Sequence, residues 1–202
     1  TDASTVITPH RAIADLERAA PDAAFITDIG EHMLFALHYL TARGPDRFAI
    51  GLNLGSMGSG ITASIGMAIA RPDRPVVCIC GDGGMQMAGM EVLVAVRERL
   101  PIIFAVFNDA RYNMVFHGFK QVFGYEAPWD SRIVDFAGWA SAMGIAGARI
   151  RSPGQITPRL LDRLTRSGGP AVLDIRIDPD VCMTGAGRNE ALRHMSALND
   201  AH

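Results

Sequence analysis

The sequence predicts an α/β fold, a doubly wound parallel sheet with helices on both faces. Three observations predict it. Two unbroken apolar runs, VVCIC at 76–80 and IIFAVF at 102–107, have the length and composition of central parallel strands buried on both faces. Strand-like and helix-like segments alternate along the chain, which implies right-handed crossovers. Polar motifs cluster at the ends of the strand-like segments, where open parallel sheets bind ligands.

The elements follow in order. Residues 23–27 (AAFIT) form a short apolar run ending at Asp28, read as a strand. Residues 31–40 read as a helix. Residues 47–51 (RFAIG) read as a second strand, bounded by Gly44-Pro45. Residues 57–70, rich in Gly, Ala, Ser and Ile, predict a tightly packed helix, and RPDRP at 71–75 a turn. After the strand at 76–80, Met87, Met90 and Val94 stand at i, i+3 and i+7 and predict the apolar face of a helix closed by Arg97-Glu98-Arg99. The strand at 102–107 is followed by helices at 134–143 and 157–166 and strands at 145–150 and 171–177. One domain is expected over residues 1–180, with 181–202, polar and rich in small residues, as a loosely ordered tail.

Bulk composition narrows the function. A chain of 202 residues, 49% hydrophobic and 20% charged, suits one globular domain with a substantial core. Net charge is −2 and no block of like charge occurs, so neither nucleic acid nor an anionic membrane is an expected partner. No apolar run approaches the roughly 20 residues of a membrane helix. The opening TDASTVITPH lacks the regions of a signal peptide, and the missing initiator Met points to processing or a cut start. Cys78, Cys80 and Cys182, an odd number without framework spacing, point to reduced thiols in a cytoplasm. Cys78 and Cys80 are expected on one face of a buried strand; no second pair makes them a metal site. Lys120 is the one lysine against eighteen arginines. No phosphate-binding Gly-Lys-Ser/Thr run exists, and Lys120 sits in no motif that would support a Schiff-base cofactor.

The chemistry concentrates in two motifs. Gly81-Asp82-Gly83-Gly84 follows one buried strand and precedes a helix. Its glycines permit close ligand approach, and N–H groups there favour an anion such as phosphate. Asp82 would repel that anion unless a hard cation, most simply Mg2+, lay between them. On this element alone, a strand-to-helix turn capped by Asp82 is an equally good reading. Asn108-Asp109 then ends the next strand, where Asp82 and Asp109 are able to flank one ion.

In this order the motifs resemble the signature of thiamine diphosphate (ThDP) enzymes. TPHRAIADLERAAPDAAFITDIGEHM and LNLGSMGSGITASIGMAIARPDRPVVCICGDGG extend the likeness to the C-terminal, diphosphate-binding domain of the acetolactate synthase group, over about residues 8–178. The resemblance implies the ThDP-binding fold. It assigns Asp82, Asp109 and the backbone carbonyl of Arg111 to Mg2+. It assigns Gly81, Gly83 and Gly84 to the diphosphate, with Gly30, Glu31 and His32 on its other side. The Gly55 carbonyl would accept from the aminopyrimidine, beside Ser56, and Met57 would wedge between the two cofactor rings. Tyr112, Asn113, Met114 and Val115 would line the site, with His117 as a substrate contact. Taken by themselves, Met57 reads as core and His32 as a capping or surface residue.

The chain departs from the family pattern at several points. Asp109 replaces the usual Asn, Gly84 stands where many relatives carry a Ser that reaches phosphate, and Glu31 stands where acetolactate synthases often carry Gln. Val115 occupies the position of a catalytic Glu in pyruvate decarboxylase types, and Gly118 that of a Trp frequent in acetolactate synthases. The glutamate that activates ThDP belongs, in the family, to a pyrimidine-binding domain; Glu31 and Glu91 here belong to this domain's own helices. The chain is therefore expected to carry half a site. A pyrimidine-binding domain, on another subunit of a homo- or hetero-oligomer or in a missing part of the chain, would complete it.

The implied function is decarboxylation of a small 2-oxo acid with carboligation. The alternatives are a decarboxylase subunit of the sulfopyruvate or phosphonopyruvate type and a non-catalytic ThDP-binding regulatory subunit. A dinucleotide-binding domain is disfavoured, because Gly55, Gly58 and Gly60 have the reverse of the required spacing.

Overall fold

A computed structural model describes residues 6–128 and 130–183. Six parallel strands form one sheet: β1 (Ala24–Thr27), β2 (Phe48–Ile50), β3 (Val76–Gly81), β4 (Ile102–Asn108), β5 (Ala146–Ile150) and β6 (Ala171–Arg176). Their order is β2-β1-β3-β4-β6-β5. The order reverses between β1 and β3, so a crevice opens above the carboxyl ends of those two strands.

Eight α-helices flank the sheet: α1 (Pro9–Ala19), α2 (Glu31–Tyr39), α3 (Ser59–Ala70), α4 (Asp82–Ala88), α5 (Val92–Arg97), α6 (Asn113–Phe123), α7 (Phe136–Ala142) and α8 (Pro158–Thr165). Strand alternation divides the core in two. Val77 and Ile79 pack with Ile103, Ala105 and Leu173 under Ile13, Leu16, Phe35 and Leu161, hence under α1, α2 and α8. Val76, Cys78 and Cys80 pack with Phe104 and Val106 under Ile61, Ile65, Val92 and Ala140, hence under α3, α5 and α7. Both faces are covered, as the apolar runs at β3 and β4 predict. Cys78 and Cys80 share one face and both are buried.

Three expectations need correction. The helix after β3 is broken: a 3-10 turn at Gly89–Glu91 separates α4 from α5. The break rotates the buried face to Met85, Val92 and Ala95, and leaves Met87 59% and Met90 62% exposed. A Cβ at Gly89 would stand 3.2 Å from the Trp139 ring, so α7 packs directly onto this turn. Next, α3 begins at Ser59 and not at Met57, because Gly58 takes a left-handed conformation (φ 87°) that ends the preceding turn. Finally, α1 and α6 are helices that the sequence reading passed over.

On α1, Asp15 lies buried among the apolar residues. It accepts from Arg11 Nε (2.9 Å), from Arg18 and from the Gly154 N–H (2.8 Å), pinning the helix to the loop before α8. After β6, Val181 and Met183 pack against the first core layer. The rest of the expected tail, residues 184–202, lies outside the described residues.

Candidate functional site

The crevice at the switch point contains a cavity of about 230 Å³. Gly30, Glu31 and His32 reach it from the start of α2, Gly55 and Met57 from the turn before α3, and Gly81, Asp82, Gly83 and Gly84 from the β3–α4 turn. Asp109, Arg111, Tyr112, Asn113, Met114 and Val115 close it from the β4–α6 loop. Four separate loops thus bring together fourteen of the fifteen residues that the sequence singled out for cofactor binding.

Two assigned residues lie elsewhere. Ser56 is exposed, and its carbonyl accepts from the Ser59 N–H (3.3 Å) in the turn that opens α3. His117 stands one turn along α6 from Asn113. Its Nε2 lies 3.1 Å from the Pro179 carbonyl and 3.8 Å from Glu31 Oε2. It borders a neighbouring groove with Arg111, Lys120, Asp180 and Cys182, and burial lowers its pKa.

Asp82 and Asp109 follow adjacent strands whose register pairs Gly81 with Phe107. Asp82 Oδ1 accepts from the Gly83 N–H (2.7 Å), whereas its buried Oδ2 has no hydrogen-bond partner among the described residues. Burial pushes the Asp82 carboxyl up to about 6. Burial, and then the charge of Asp82, push Asp109 up to about 7; Glu31 adds to the effect. The loop fixes Asp109 from both sides. Its Oδ1 accepts from the Arg111 N–H (3.2 Å) and its Oδ2 from Asn113 Nδ2 (2.5 Å). Ala110 between them holds φ 57°, a conformation costing a residue with a side chain about 1–2 kcal/mol. Stored strain of this kind is a feature of ligand sites.

The Arg111 guanidinium stays within the protein framework. It donates to Asn113 Oδ1 (2.6 Å) and to the Pro179 carbonyl, and stacks 3.9 Å over Phe116. The Arg111 carbonyl accepts from the Asn113 N–H (2.9 Å). Asn113, expected to line the site, borders the cavity, and its side chain orients Asp109 and Arg111.

Glycines let the loops close on one another. A Cβ at Gly83 would stand 2.6 Å from the Tyr112 ring and 2.9 Å from Met57 Cε. A Cβ at Gly30 would stand 2.5 Å from the His32 ring. At Gly84 it would stand 2.2 Å from Asp28 Oδ2. A Cβ at 84 therefore meets the Asp28 carboxylate, at a position that also borders the cavity.

Asp28 itself was missed as a site residue. It is fully buried at the end of β1, and it accepts from the Gly58 N–H through Oδ2 and from the Gly60 N–H through Oδ1, each at 2.9 Å. It ties the β1 end to the start of α3, and so positions Met57. The signal for it was an Asp at a strand end, followed two residues later by Gly30. His32, beside it, is buried; burial lowers its pKa to about 4, so the ring is neutral at ordinary pH.

The donor set suits a hard divalent cation. Two carboxylates, one with a buried oxygen lacking a donor, meet on one wall of the cavity. Among the described residues no three His, Cys, Asp or Glu side chains converge into a complete metal shell. Mg2+ ordinarily takes one or two carboxylates and completes its shell with phosphate and water.

Residues 28–175 match the profile of the family described as thiamine pyrophosphate enzyme, C-terminal TPP binding domain. The chain belongs to that family. Within it, this ThDP-binding domain falls in the acetolactate synthase-like group. It is 32% identical to acetolactate synthase isozyme 2 large subunit of Escherichia coli K12 over 188 residues, 89% of this chain and 34% of that protein. It is 30% identical to acetolactate synthase of Bacillus subtilis 168, over 84% of this chain and 30% of that protein. The domain thus spans about a third of the length of these relatives. Its fold resembles that of a Rhodococcus jostii RHA1 thiamine diphosphate-dependent 4-hydroxybenzoylformate decarboxylase (TM-score 0.79, 19% identity, 88% of this chain and 34% of that one). The family match begins at Asp28, the residue that anchors the β1 end. Among the described residues no helix is long and apolar enough to cross a membrane.

Proposed function

We propose that the chain is the diphosphate- and Mg2+-binding part of a ThDP-dependent enzyme that decarboxylates a small 2-oxo acid and transfers the remaining acyl unit to an acceptor. The observation that carries this is the meeting of Asp82 and Asp109 on one wall of a glycine-bounded cavity at the switch point. Asp82, Asp109 and the Arg111 carbonyl would hold the cation. Gly30, Glu31, His32, Gly81, Gly83 and Gly84 would bound the diphosphate. Met57, seated against Gly83, would set the conformation of the bound cofactor. ThDP, when bound, supplies the electron sink that decarboxylation of a 2-oxo acid requires.

The residues of this chain bind, orient and exclude water. Beyond the cation site, Glu31 is the acid that lines the cavity among the described residues, and Val115 lines it at the position that pyruvate decarboxylase types give to a catalytic Glu. That favours transfer over simple protonation. The missing activating acid would come from a pyrimidine-binding domain on a second subunit or in a longer chain. Exposed apolar residues on the segments that carry Gly55 and Asp82 support such a partner: Leu52, Leu54 (94% exposed), Met87 and Met90.

Reconstitution tests this reading. The chain is combined with a pyrimidine-binding domain, ThDP, Mg2+ and a panel of 2-oxo acids, and CO2 and acyloin are measured. Release of CO2 with acyloin formation supports carboligation, CO2 with aldehyde supports the decarboxylase alternative, and no CO2 from any donor refutes both.

A further inference from the structure

Asn108 and Asp109 are consecutive, yet one turns into the protein and the other into the cavity. Asn108 uses both amide hydrogens inside, donating to the Val134 carbonyl (2.9 Å) and to Asp174 Oδ1 (2.7 Å). Asp174, on β6, is 0% exposed. Its Oδ2 accepts from Arg176 Nη2 (2.8 Å) and from Arg149 Nε (3.4 Å). Arg176 also donates to the Val134 carbonyl (2.8 Å), and Arg149 pairs with Asp135, the residue capping α7. One carboxylate therefore ties together β4, β5, β6 and the start of α7, directly behind the Asp109 loop.

Stability does not account for this cluster. Ion pairs with a buried member, such as Asp174 with the part-exposed Arg149 and Arg176, give little net stabilisation over well-packed apolar residues of similar volume. Placement does account for it. The backbone is already paired here, with the Asn108 carbonyl accepting from the Ile177 N–H (3.3 Å), so the side chains add a second constraint on the same strand end.

We propose that Asp174 is a positioning residue for the cation site: through Asn108 it fixes the strand end that presents Asp109. This rests on the reading of Asp82 and Asp109 as cation ligands. Asp174 touches neither cofactor nor substrate.

The test is Mn2+ binding to the chain combined with a pyrimidine-binding domain and ThDP, read as loss of the free-ion EPR signal at low ionic strength. Asp174→Asn keeps an acceptor of the same shape for Asn108 and is expected to bind Mn2+ within threefold of wild type. Asp174→Leu removes the acceptor and is expected to weaken Mn2+ binding at least tenfold. Asn108→Leu removes the donor and is expected to weaken it to the same degree, and the double variant no further than either. A purely structural role predicts instead that the losses multiply. Asp174→Leu within threefold of wild type, or a double variant weakened by the product of the two, overturns the inference alone. If Asp174→Leu does not fold, Asn108→Leu decides: binding within threefold of wild type overturns it. A wild-type assembly that takes up no Mn2+ overturns the cation-site reading itself, and this inference with it.

Discussion

Asp82 raises Asp109: the two carboxylates end neighbouring strands, and the charge of the first adds to burial in lifting the second to about 7, with Asp82 itself lifted to about 6. Each proton on either group must leave before a cation binds. Affinity for Mg2+ in the presence of ThDP is expected to be near its plateau above pH 7. Below pH 6 it should fall by up to about a hundredfold per pH unit, about tenfold for each of two displaced protons. Asp109→Asn removes one of them and halves the logarithmic slope. Calorimetric titrations from pH 5.5 to 8 measure both slopes, and equal slopes in the two proteins would contradict the coupling.

The same shifts set the stability of the cation-free chain. A carboxyl with a folded pKa above its unfolded value destabilises the fold above the folded pKa, and the penalty vanishes below the unfolded one. The cation-free chain should therefore gain stability as pH falls from about 7 toward about 4, insofar as these two groups dominate. Asp82→Asn keeps the acceptor for the Gly83 N–H while removing the buried charge. It is expected to stabilise the cation-free chain at pH 8 by about 1–3 kcal/mol and to abolish tight Mg2+ binding. Urea denaturation with and without Mg2+ gives both numbers; a destabilised Asp82→Asn chain would refute the account.

Gly84→Ser places a Cβ against Asp28 Oδ2, and is expected to destabilise by about 1–3 kcal/mol through overpacking. Asp28→Ser shortens the obstructing side chain but strips acceptors from the Gly58 and Gly60 N–H groups, which is also destabilising. The double variant should be less damaged than the sum of the two by at least about 0.5 kcal/mol, since contacting residues couple. Denaturant midpoints of the four proteins complete the cycle, and strict additivity would show that the two side chains do not meet.

His32 is held neutral by burial, with its pKa near 4. Any role at the diphosphate is then that of a neutral ring, and the pH profile of ThDP affinity should contain no step between pH 5 and 8 that His32→Asn removes. Such a step, found by titration of both proteins, would mean that the imidazolium is the binding species.

Fold legibility followed burial chemistry. Strands β3 and β4 announce themselves because both faces are buried, so every residue before their ends at Gly81 and Asn108 is apolar. Helix α1 hides because Asp15 sits on its buried side, satisfied by arginines and by Gly154, far away in sequence. Helix α6 hides because its polarity is inverted: Asn113 and Gly118 are buried, whereas Val115 and Phe123 are exposed. Met87 and Met90 mislead because their spacing fits a helix that Gly89 breaks. At the site, Asp82 and Asp109 were legible as motif residues. Asp28 and Asp174 were not, because their roles rest on partners that no local spacing reveals.

Asp28 has a consequence for how this domain can change. Its carboxylate grips Gly58 and Gly60 on one side, while the absent side chain at Gly84 makes room for it on the other. Positions 28, 58, 60 and 84 therefore form an epistatic set. A larger residue at 84 displaces the Asp28 carboxylate, and with it the acceptor of two buried amides, so its cost is felt at the start of α3 and not only at 84.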